Sequence, residues 1–148
     1  MENMNREILF RGKHIHAMDS NEHLNGTWVH GYLSDKDYIY DKSLEGEFLV
    51  DEDTICQYTG LTDKNGKKIF EGDVVKDSAG VCGEVKFGLY AAGFSIPDTN
   101  QGFYIEFPEE SLYRKELGYW ENKVVVIGNI YDSPKLLDDK ENKHGEDI

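Results

Sequence analysis

Short stretches of alternating apolar and polar residues recur along the chain, and this period of two predicts strands rather than helices. In residues 6–16, the side chains of Phe10 and Gly12 fall on one face of a pleated strand and those of Leu9 and Arg11 on the other. Three further short segments, rich in β-branched and aromatic residues and separated by turn formers, are 27–33, 37–41 and 45–51. We therefore expect a first strand followed by a meander of short strands.

The most specific local signal is the dipeptide Asn65-Gly66. Glycine lacks a Cβ and asparagine tolerates the left-handed region, so this pair is typical of a two-residue type I′ hairpin turn. Before it, residues 55–59 alternate and favour an extended segment. After it, we expect strands within 69–75, 81–87, 93–96 and 102–107.

Closely spaced strands with glycine breaks are typical of a small barrel or a strongly bent sheet. The run from Val124 to Ile127 is fully apolar, which predicts a strand covered on both faces. Alternation leaves two choices for its core residues, either Val125 with Ile127 or Val124 with Val126. We expect this strand to lie at the centre of the core.

Two segments favour short helices. Residues 109–117 have acids at their start and bases further along, and Gly118 is a candidate C-cap. Ser133 and Pro134 supply an N-cap and a first-turn proline for a second helix through Leu137. The predicted fold class is mainly β, a β-rich α+β arrangement with one or two short helices.

The length of 148 residues suits one ordinary hydrophobic core. We expect a single domain over 1–137, which could form two lobes at 1–60 and 61–137, and a solvated acidic tail over 138–148. Membrane spans and a secretory leader are not indicated, so we expect a cytoplasmic protein that does not contact membranes. In the reducing cytosol, Cys56 and Cys82 should remain thiols.

The chain has 29 acidic and 16 basic residues and a net charge of −13. Acids outnumber bases in each of the segments 1–50, 51–100 and 101–148, and Lys and Arg never occur in runs longer than two. Such a surface repels the phosphates of nucleic acids, so we expect no direct binding to them. The same charge leaves open a second hypothesis, an acidic DNA mimic that blocks a host DNA-binding protein.

Three segments together resemble the YopX family of phage and prophage proteins. They are 6–12 (REILFRG), 56–75 (CQYTGLTDKNGKKIFEGDVV) and 126–137 (VIGNIYDSPKLL). The resemblance spans residues 6–137 and is weak over 76–120. It implies a phage or prophage accessory protein to which no catalytic residue carries over. It also implies a small SH3-like β-barrel in the C-terminal part, opened by the strand 71–75.

Three histidines are candidate metal ligands. His14 and His16 lie two positions apart, so both rings would face the same side of a strand, and His30 could supply a third ligand. Histidines on an exposed strand face are more often solvated, and the sequence lacks a second His or Cys pair to complete a tetrahedral site. We expect no metal and no other cofactor.

Two carboxylates, Glu71 and Asp73, also alternate on one predicted strand face. They could act as a general acid and base only if burial separated their pKa values, and their position near a turn favours a solvated pair instead. The nucleophile motif G-x-S-x-G and the P-loop are both missing from the sequence. We therefore expect no catalytic residue.

Two further places could bind a ligand. The segment 57–60 contains Tyr58, which offers a flat apolar ring with a polar tip, and Gly60, which lets a partner approach the backbone. The alternative is that Tyr58 packs in the core and that Gly60 forms a bend. Asn129 is equally suited to a ligand and to a buried backbone group at a bend.

The leading hypothesis is a non-enzymatic accessory protein that binds a host or phage protein. The alternatives are the DNA mimic and an enzyme of small-molecule or nucleotide metabolism with an unfamiliar site. Association of identical chains also stays open. A deep pocket with convergent, pKa-perturbed carboxylates would favour the enzyme.

Overall fold

The structure is a computed structural model, and it describes residues 7–15, 26–91, 99–108 and 114–138. The described residues form two antiparallel sheets, which confirms the mainly β fold class. In chain order, the strands are β1 (Phe10–Lys13), β2 (Trp28–Asp35), β3 (Tyr38–Asp41), β4 (Gly46–Leu49), β5 (Cys56–Thr62), β6 (Lys68–Phe70), β7 (Asp73–Lys76), β8 (Cys82–Ala91), β9 (Thr99–Glu106) and β10 (Val125–Asn129). The chain divides into two compact units, Met1–Gly60 and Leu61–Ile148.

The first unit contains the predicted meander, with strands in the order β4-β3-β2-β1-β5. Its strand pairs are antiparallel, and a bridge between His14 and Val50 brings the end of β1 beside the residue that follows β4. A short 3₁₀ helix, Glu52–Thr54, connects β4 to β5. The core of this unit consists of Val29, Ile39, Phe48 and Val50, with Phe10 and Ile55 packed against them.

The second unit begins within β5, whose hydrogen-bonded neighbour is β6. Its main sheet has the order β10-β7-β8-β9. The core contains residues from β6, from the main sheet, from the helix α1 (Leu117–Trp120) and from the segments next to β9 and β10: Ile69, Val75, Val85, Ile105, Phe107, Leu117, Trp120 and Val124. Burial of these side chains supplies the main favourable free energy for this unit.

The SH3-like barrel expected in the C-terminal part is not found in the described residues, because the main sheet of the second unit does not close. In the described part of the second unit, β10 pairs only with β7 and β9 pairs only with β8 among the strands. The outer side of β9 is instead bonded near Tyr104 and Ile105 to the segment that precedes α1. Closure would require β9 to reach another strand at that position.

The apolar run 124–127 lies at the edge of its sheet, so the expectation of a central strand was wrong. Of the two choices for its core residues, the structure shows Val124 and Val126: Val124 is buried in the cluster and the half-buried Val126 packs against it. A bulge between Val126 and Gly128 interrupts the alternation along β10. Hydrophobicity alone did not distinguish an edge strand with one covered face from a central one.

The helix predicted over 109–117 is not observed in its described part, since residues 114–116 are not helical and residues 109–113 lie outside the described ranges. The helix instead starts at Leu117 and contains Gly118, which was expected to end it. Burial of Leu117 and Trp120 overrides the capping signal. The second helix is confirmed as a 3₁₀ helix, Pro134–Asp138.

The Asn65-Gly66 dipeptide does lie at a hairpin tip, but the turn is not of type I′. Gly66 has a φ of 83°, whereas Asn65 is not among the residues with positive φ. The N–H of Gly66 donates to the carbonyl of Asp63 at 3.0 Å, and the N–H of Asp63 donates to the carbonyl of Lys67 at 2.8 Å. These bonds define a three-residue loop, a type I turn followed by a left-handed glycine.

Candidate interaction surface

The carboxylate of Asp63 holds this loop against β10. The residue is 1% exposed. Its Oδ1 accepts the backbone N–H groups of Asn65 at 2.8 Å and Lys67 at 2.9 Å, and its Oδ2 accepts the N–H of Val126 at 2.9 Å. We call these three hydrogen bonds the Asp63 lock. Burial raises the pKa of Asp63, but these bonds and the charge of Lys67 outweigh it, so the pKa is lowered.

The second candidate carboxylate, Asp73, is also used by the backbone. It is buried at the start of β7, and its Oδ2 accepts the N–H of Phe70 at 2.8 Å across the turn. Glu71 lies in that turn and is half-buried. The expectation of a solvated pair was therefore wrong for Asp73, because its carboxylate is enclosed and satisfies the turn.

Asn129 has the same structural role at the end of β10. Its Oδ1 accepts the N–H groups of Tyr131 at 2.9 Å and Asp132 at 2.8 Å. Its Nδ2 donates to the carboxylate of Asp132 at 3.1 Å. Of the two interpretations of Asn129, the structure shows the one in which its side chain hydrogen-bonds backbone groups at a bend.

The histidines do not form a cluster in the described residues. His14 is buried, lies edge-on to the Phe48 ring at 5.1 Å, and has its Nδ1 2.7 Å from the carbonyl of Leu49. His30 lies on the other face of the sheet. It pairs with Arg11, which shares a face with Lys13, and His14 follows Lys13 and therefore lies on the opposite face. Desolvation, followed by the charge of Arg11, lowers the pKa of His30, and Asp41 opposes both.

His16 lies outside the described residues. Within the described ranges, groups of three His, Cys, Asp or Glu residues that could hold a metal ion are not found. His14 was expected on an exposed strand face, and that expectation was wrong. The strand was identified correctly, but the curl of the sheet at the His14–Val50 bridge turns this face towards the core.

The segment 57–60 forms most of β5. Tyr58 is buried, and its N–H donates to the carbonyl of Leu9 at 2.8 Å. Gly60 is exposed and has a φ of 91°, so it forms a bend that other residues rarely adopt. The two cysteines are thiols, with Cys56 buried and Cys82 half-buried.

Acidic side chains face one another on the second sheet. Glu84 of β8 pairs with Glu106 of β9, and Lys86 forms an ion pair with Glu106. Desolvation raises the pKa of Glu84, Lys86 opposes this shift, and the negative charges of Glu106 and Glu71 add to it. The raised pKa of Glu84 therefore follows mainly from its partial burial, and nearby like charges add to it.

The part of the structure that folding does not explain is the far end of the β8–β9 hairpin. These strands pair continuously from Glu84 with Glu106 to Ala91 with Thr99. Among the described residues, only β8 of the two has a further strand neighbour, and its pairing with β7 reaches no further than Glu84. We call residues 87–91 and 99–104, which lie beyond that pairing, the arm.

One face of the arm is apolar and exposed. Phe87 is 52% exposed and Leu89 69% exposed. Their cross-strand partners are Phe103 and Gln101, and the rings of Phe87 and Phe103 are 4.9 Å apart. Leu89 has the highest exposed fraction of the exposed large apolar side chains in the described residues. Adjacent apolar side chains in contact with water are typical of a binding surface.

The other face of the arm has a stacked pair of tyrosines. The rings of Tyr90 and Tyr104 are 5.2 Å apart, and Gly88 and Gly102 lie opposite each other between them in the register. Because glycine has no side chain, the rings can approach across the space it leaves. Contact between the two rings adds to the cross-strand pairing within the arm.

Sequence reasoning did not identify Phe87 and Leu89 as functional residues. The strand predicted over 81–87 includes Phe87 but ends before Leu89, and alternation does not tell whether another element covers the apolar face. The distribution of charged residues along the sequence could have indicated this segment. Between Lys86 and Glu106, Asp98 is the one charged residue among nineteen, whereas 30% of the whole chain is charged.

In the described ranges, the structure contains no helix long and apolar enough to cross a membrane. Comparison with curated proteins gives no match. The family model described as YopX protein matches residues 9–138. This match covers most of the 148 residues and includes the Asp63 lock, Asp73, Asn129 and the arm. The chain therefore belongs to the YopX family.

Proposed function

We propose that this chain is a phage-type accessory protein that acts in the host cytoplasm by binding another protein, and that the apolar face of the arm is its contact surface. Membership of the YopX family suggests the phage type. The observation that carries the proposal is the exposure of Phe87 and Leu89 on a hairpin end with few charges. Exposed aromatic and aliphatic anchors contribute most of the binding free energy in many protein interfaces.

A non-enzymatic function is supported by how the candidate chemical groups are used. Asp63 and Asn129 direct their oxygens at backbone N–H groups of their own turns, and Asp73 directs Oδ2 at the turn before β7. A general acid, base or nucleophile needs its reactive atom directed at a substrate. These residues are therefore better explained by folding than by catalysis.

The test begins with affinity capture from host cells, followed by binding of the purified partner to two variants. Replacement of both Phe87 and Leu89 by Ser should weaken binding at least tenfold, because it removes the two exposed anchors. The matched control is Leu44→Ser, which removes a 42% exposed leucine from a turn of the first unit. The proposal would be overturned if the partner bound all three proteins equally well.

Salt dependence separates this proposal from acidic DNA mimicry. The described part of the arm contains no charged residue, so its association rate should change little with ionic strength. A mimic must present carboxylates to a basic groove, and its association rate would fall steeply as salt is added. A steep fall, together with full binding by the Ser variant, would favour the mimic.

A further inference from the structure

The outer edge of β9 is the basis for an inference that goes beyond the apolar face of the arm. From Thr99 to Phe103, this edge has no strand neighbour among the described residues, because β9 is the last strand of its sheet and the segment before α1 bonds only near Tyr104 and Ile105. An exposed strand edge presents unpaired N–H and C=O groups that can accept another strand.

The strands at the ends of the sheets other than β9 are protected in the described structure, whereas β8 beyond its pairing with β7 is open on the opposite side of the hairpin. The end of β4 is bonded to the segment after β1, where Ile15 donates its N–H to Leu49. The edge of β10 is occupied by the Asp63 lock and by the N–H of Lys64, which donates to Val124 at 2.8 Å. The third, β6, has only three residues and begins with Lys68. Short strands and lysines are common protections against unwanted pairing.

The open edge of β9 has neither form of protection. Its residues 99–103 are Thr, Asn, Gln, Gly and Phe, with no charge and no proline. It continues for five residues, and the pairing of β9 with β8 on its other side keeps it extended. Water hydrogen-bonds the exposed backbone groups of such an edge, and a second strand can replace this water.

We propose that the occupant of this edge is the same edge of a second copy of the chain. Two copies with a net charge of −13 each repel one another over most of their surfaces. The edge of β9 is uncharged, so two copies can approach there with the least repulsion. A two-fold axis perpendicular to the sheet makes the two strands antiparallel and the contact self-complementary.

The length of the edge fixes the register. Five residues pair fully with a second copy when Gln101 lies opposite Gln101, Asn100 opposite Gly102 and Thr99 opposite Phe103. In this arrangement both copies direct Phe87 and Leu89 to the same side of the continuous sheet, since the axis is perpendicular to it. The dimer therefore carries a doubled apolar strip.

The test uses the purified full chain without any partner and measures its mass by sedimentation equilibrium over a wide range of concentration. We expect a concentration-dependent dimer. Gln101→Lys should raise the dimer dissociation constant about fivefold or more, because like charges then lie directly opposite each other. This variant also makes the net charge less negative, so general repulsion alone would predict a tighter dimer.

A charge-reversal experiment makes the register testable. Gln101→Glu should weaken the dimer as well, and an equimolar mixture of the Lys and Glu variants should restore it, because opposite charges then meet across the axis. The matched control, Leu44→Lys, adds the same charge at an exposed turn and should leave the dimer intact. Unchanged thermal midpoints would show that the variants fold.

Hydrogen exchange supplies an independent readout. Amides in 99–103 should exchange more slowly as dimer forms. The proposal is overturned if the chain is monomeric at every concentration, if the Lys variant dimerises as well as the unmodified chain, or if the mixture fails to restore the dimer. It is also overturned if the amides of 99–103 are protected only when a different protein is added. Each of these results leaves the test of Phe87 and Leu89 unaffected.

Discussion

The Asp63 lock and the arm lie in the same unit and use their side chains in opposite ways. At the lock, a charged group is buried and three backbone donors satisfy it. In the arm, Phe87 and Leu89 are exposed and are not among the core residues, although Phe103 opposite Phe87 packs against the core. A buried charge with all its bonds made is explained by folding, whereas exposed apolar groups lower stability in water and are retained for binding. The most recognisable motif of the chain is therefore structural, and the less conspicuous segment is the functional candidate.

The two ends of the β8–β9 hairpin differ clearly in burial. Ile105→Ala should lower the free energy of unfolding by about 2 to 5 kcal/mol, because Ile105 is completely buried in the core of the second unit. Leu89→Ala should change it by no more than about 0.5 kcal/mol. Urea denaturation measures both. Equal losses at the two positions would mean that the arm is part of the core.

The next largest effect is expected at the lock itself. Asp63→Ala should lower the free energy of unfolding by about 2 to 4 kcal/mol, since three N–H groups lose their acceptor. Asp63→Asn should cost less, because its amide oxygen can still accept from Asn65 and Lys67. Asp35→Ala is the control, since Asp35 is exposed and accepts only the N–H of Lys36 among the described bonds. An equally large loss of unfolding free energy in Asp35→Ala would show that the Asp63 lock has no special role.

The lowered pKa of Asp63 gives this prediction a pH dependence. A carboxyl whose pKa is lower in the folded state stabilises the fold above its unfolded value of about 3.9, and this contribution is lost as pH falls through the folded pKa. The unmodified chain should therefore lose more stability than Asp63→Asn as pH falls below about 4. The pKa of Asp41 is also lowered, so some acid sensitivity should remain in the variant. Parallel acid titrations of the two proteins, followed by circular dichroism, measure the difference.

A smaller effect is expected at the hairpin tip beside the lock. Gly66 has a φ of 83°, and a β-branched side chain is strained in that region. Gly66→Val should lower the free energy of unfolding by about 1 kcal/mol or more, whereas Gly66→Asn should cost less because asparagine tolerates the left-handed region. Thermal denaturation compares the two variants. Similar midpoints for Val and Asn would show that the turn does not require this conformation.

The smallest effect is expected at Glu84, and it has the opposite sign. A carboxyl whose pKa is raised in the folded state favours the fold below its unfolded value and loses that advantage as pH rises through the folded pKa. Glu84→Gln should therefore raise the thermal midpoint slightly at neutral pH, because it removes a desolvated charge opposite Glu106. The gain should vanish near pH 4 or below, where Glu84 is protonated in both states. A gain that is independent of pH would point to packing rather than charge.

The sequence predicted the positions of the strands better than the burial of their faces. Period-two alternation correctly located the meander from β2 to β4, and glycine correctly marked the tip at Gly66. The turn type was not predictable from Asn65-Gly66 alone, because Asp63 accepts N–H groups within the loop and favours the three-residue form. The position of α1 was missed because its four residues are held by the burial of Leu117 and Trp120, which is a tertiary effect.

Neither the burial of His14 nor the exposure of Leu89 could be predicted from alternation, and the reason is the same. A strand pattern separates two faces but does not say which face another element covers. The curl of the first sheet encloses His14. In the second sheet, β8 continues beyond its pairing with β7 and leaves Leu89 without cover. Both outcomes depend on neighbours that are distant in the chain.

If Phe87 and Leu89 do not serve folding, replacement of both by Ser should leave the free energy of unfolding nearly unchanged, and urea denaturation of this variant measures that most directly. We expect a loss of no more than about 1 kcal/mol, the contribution of one contact between the exposed Phe87 ring and Phe103, with an unchanged m-value. A loss of about 3 kcal/mol or more would contradict it, because side chains with that effect belong to a core.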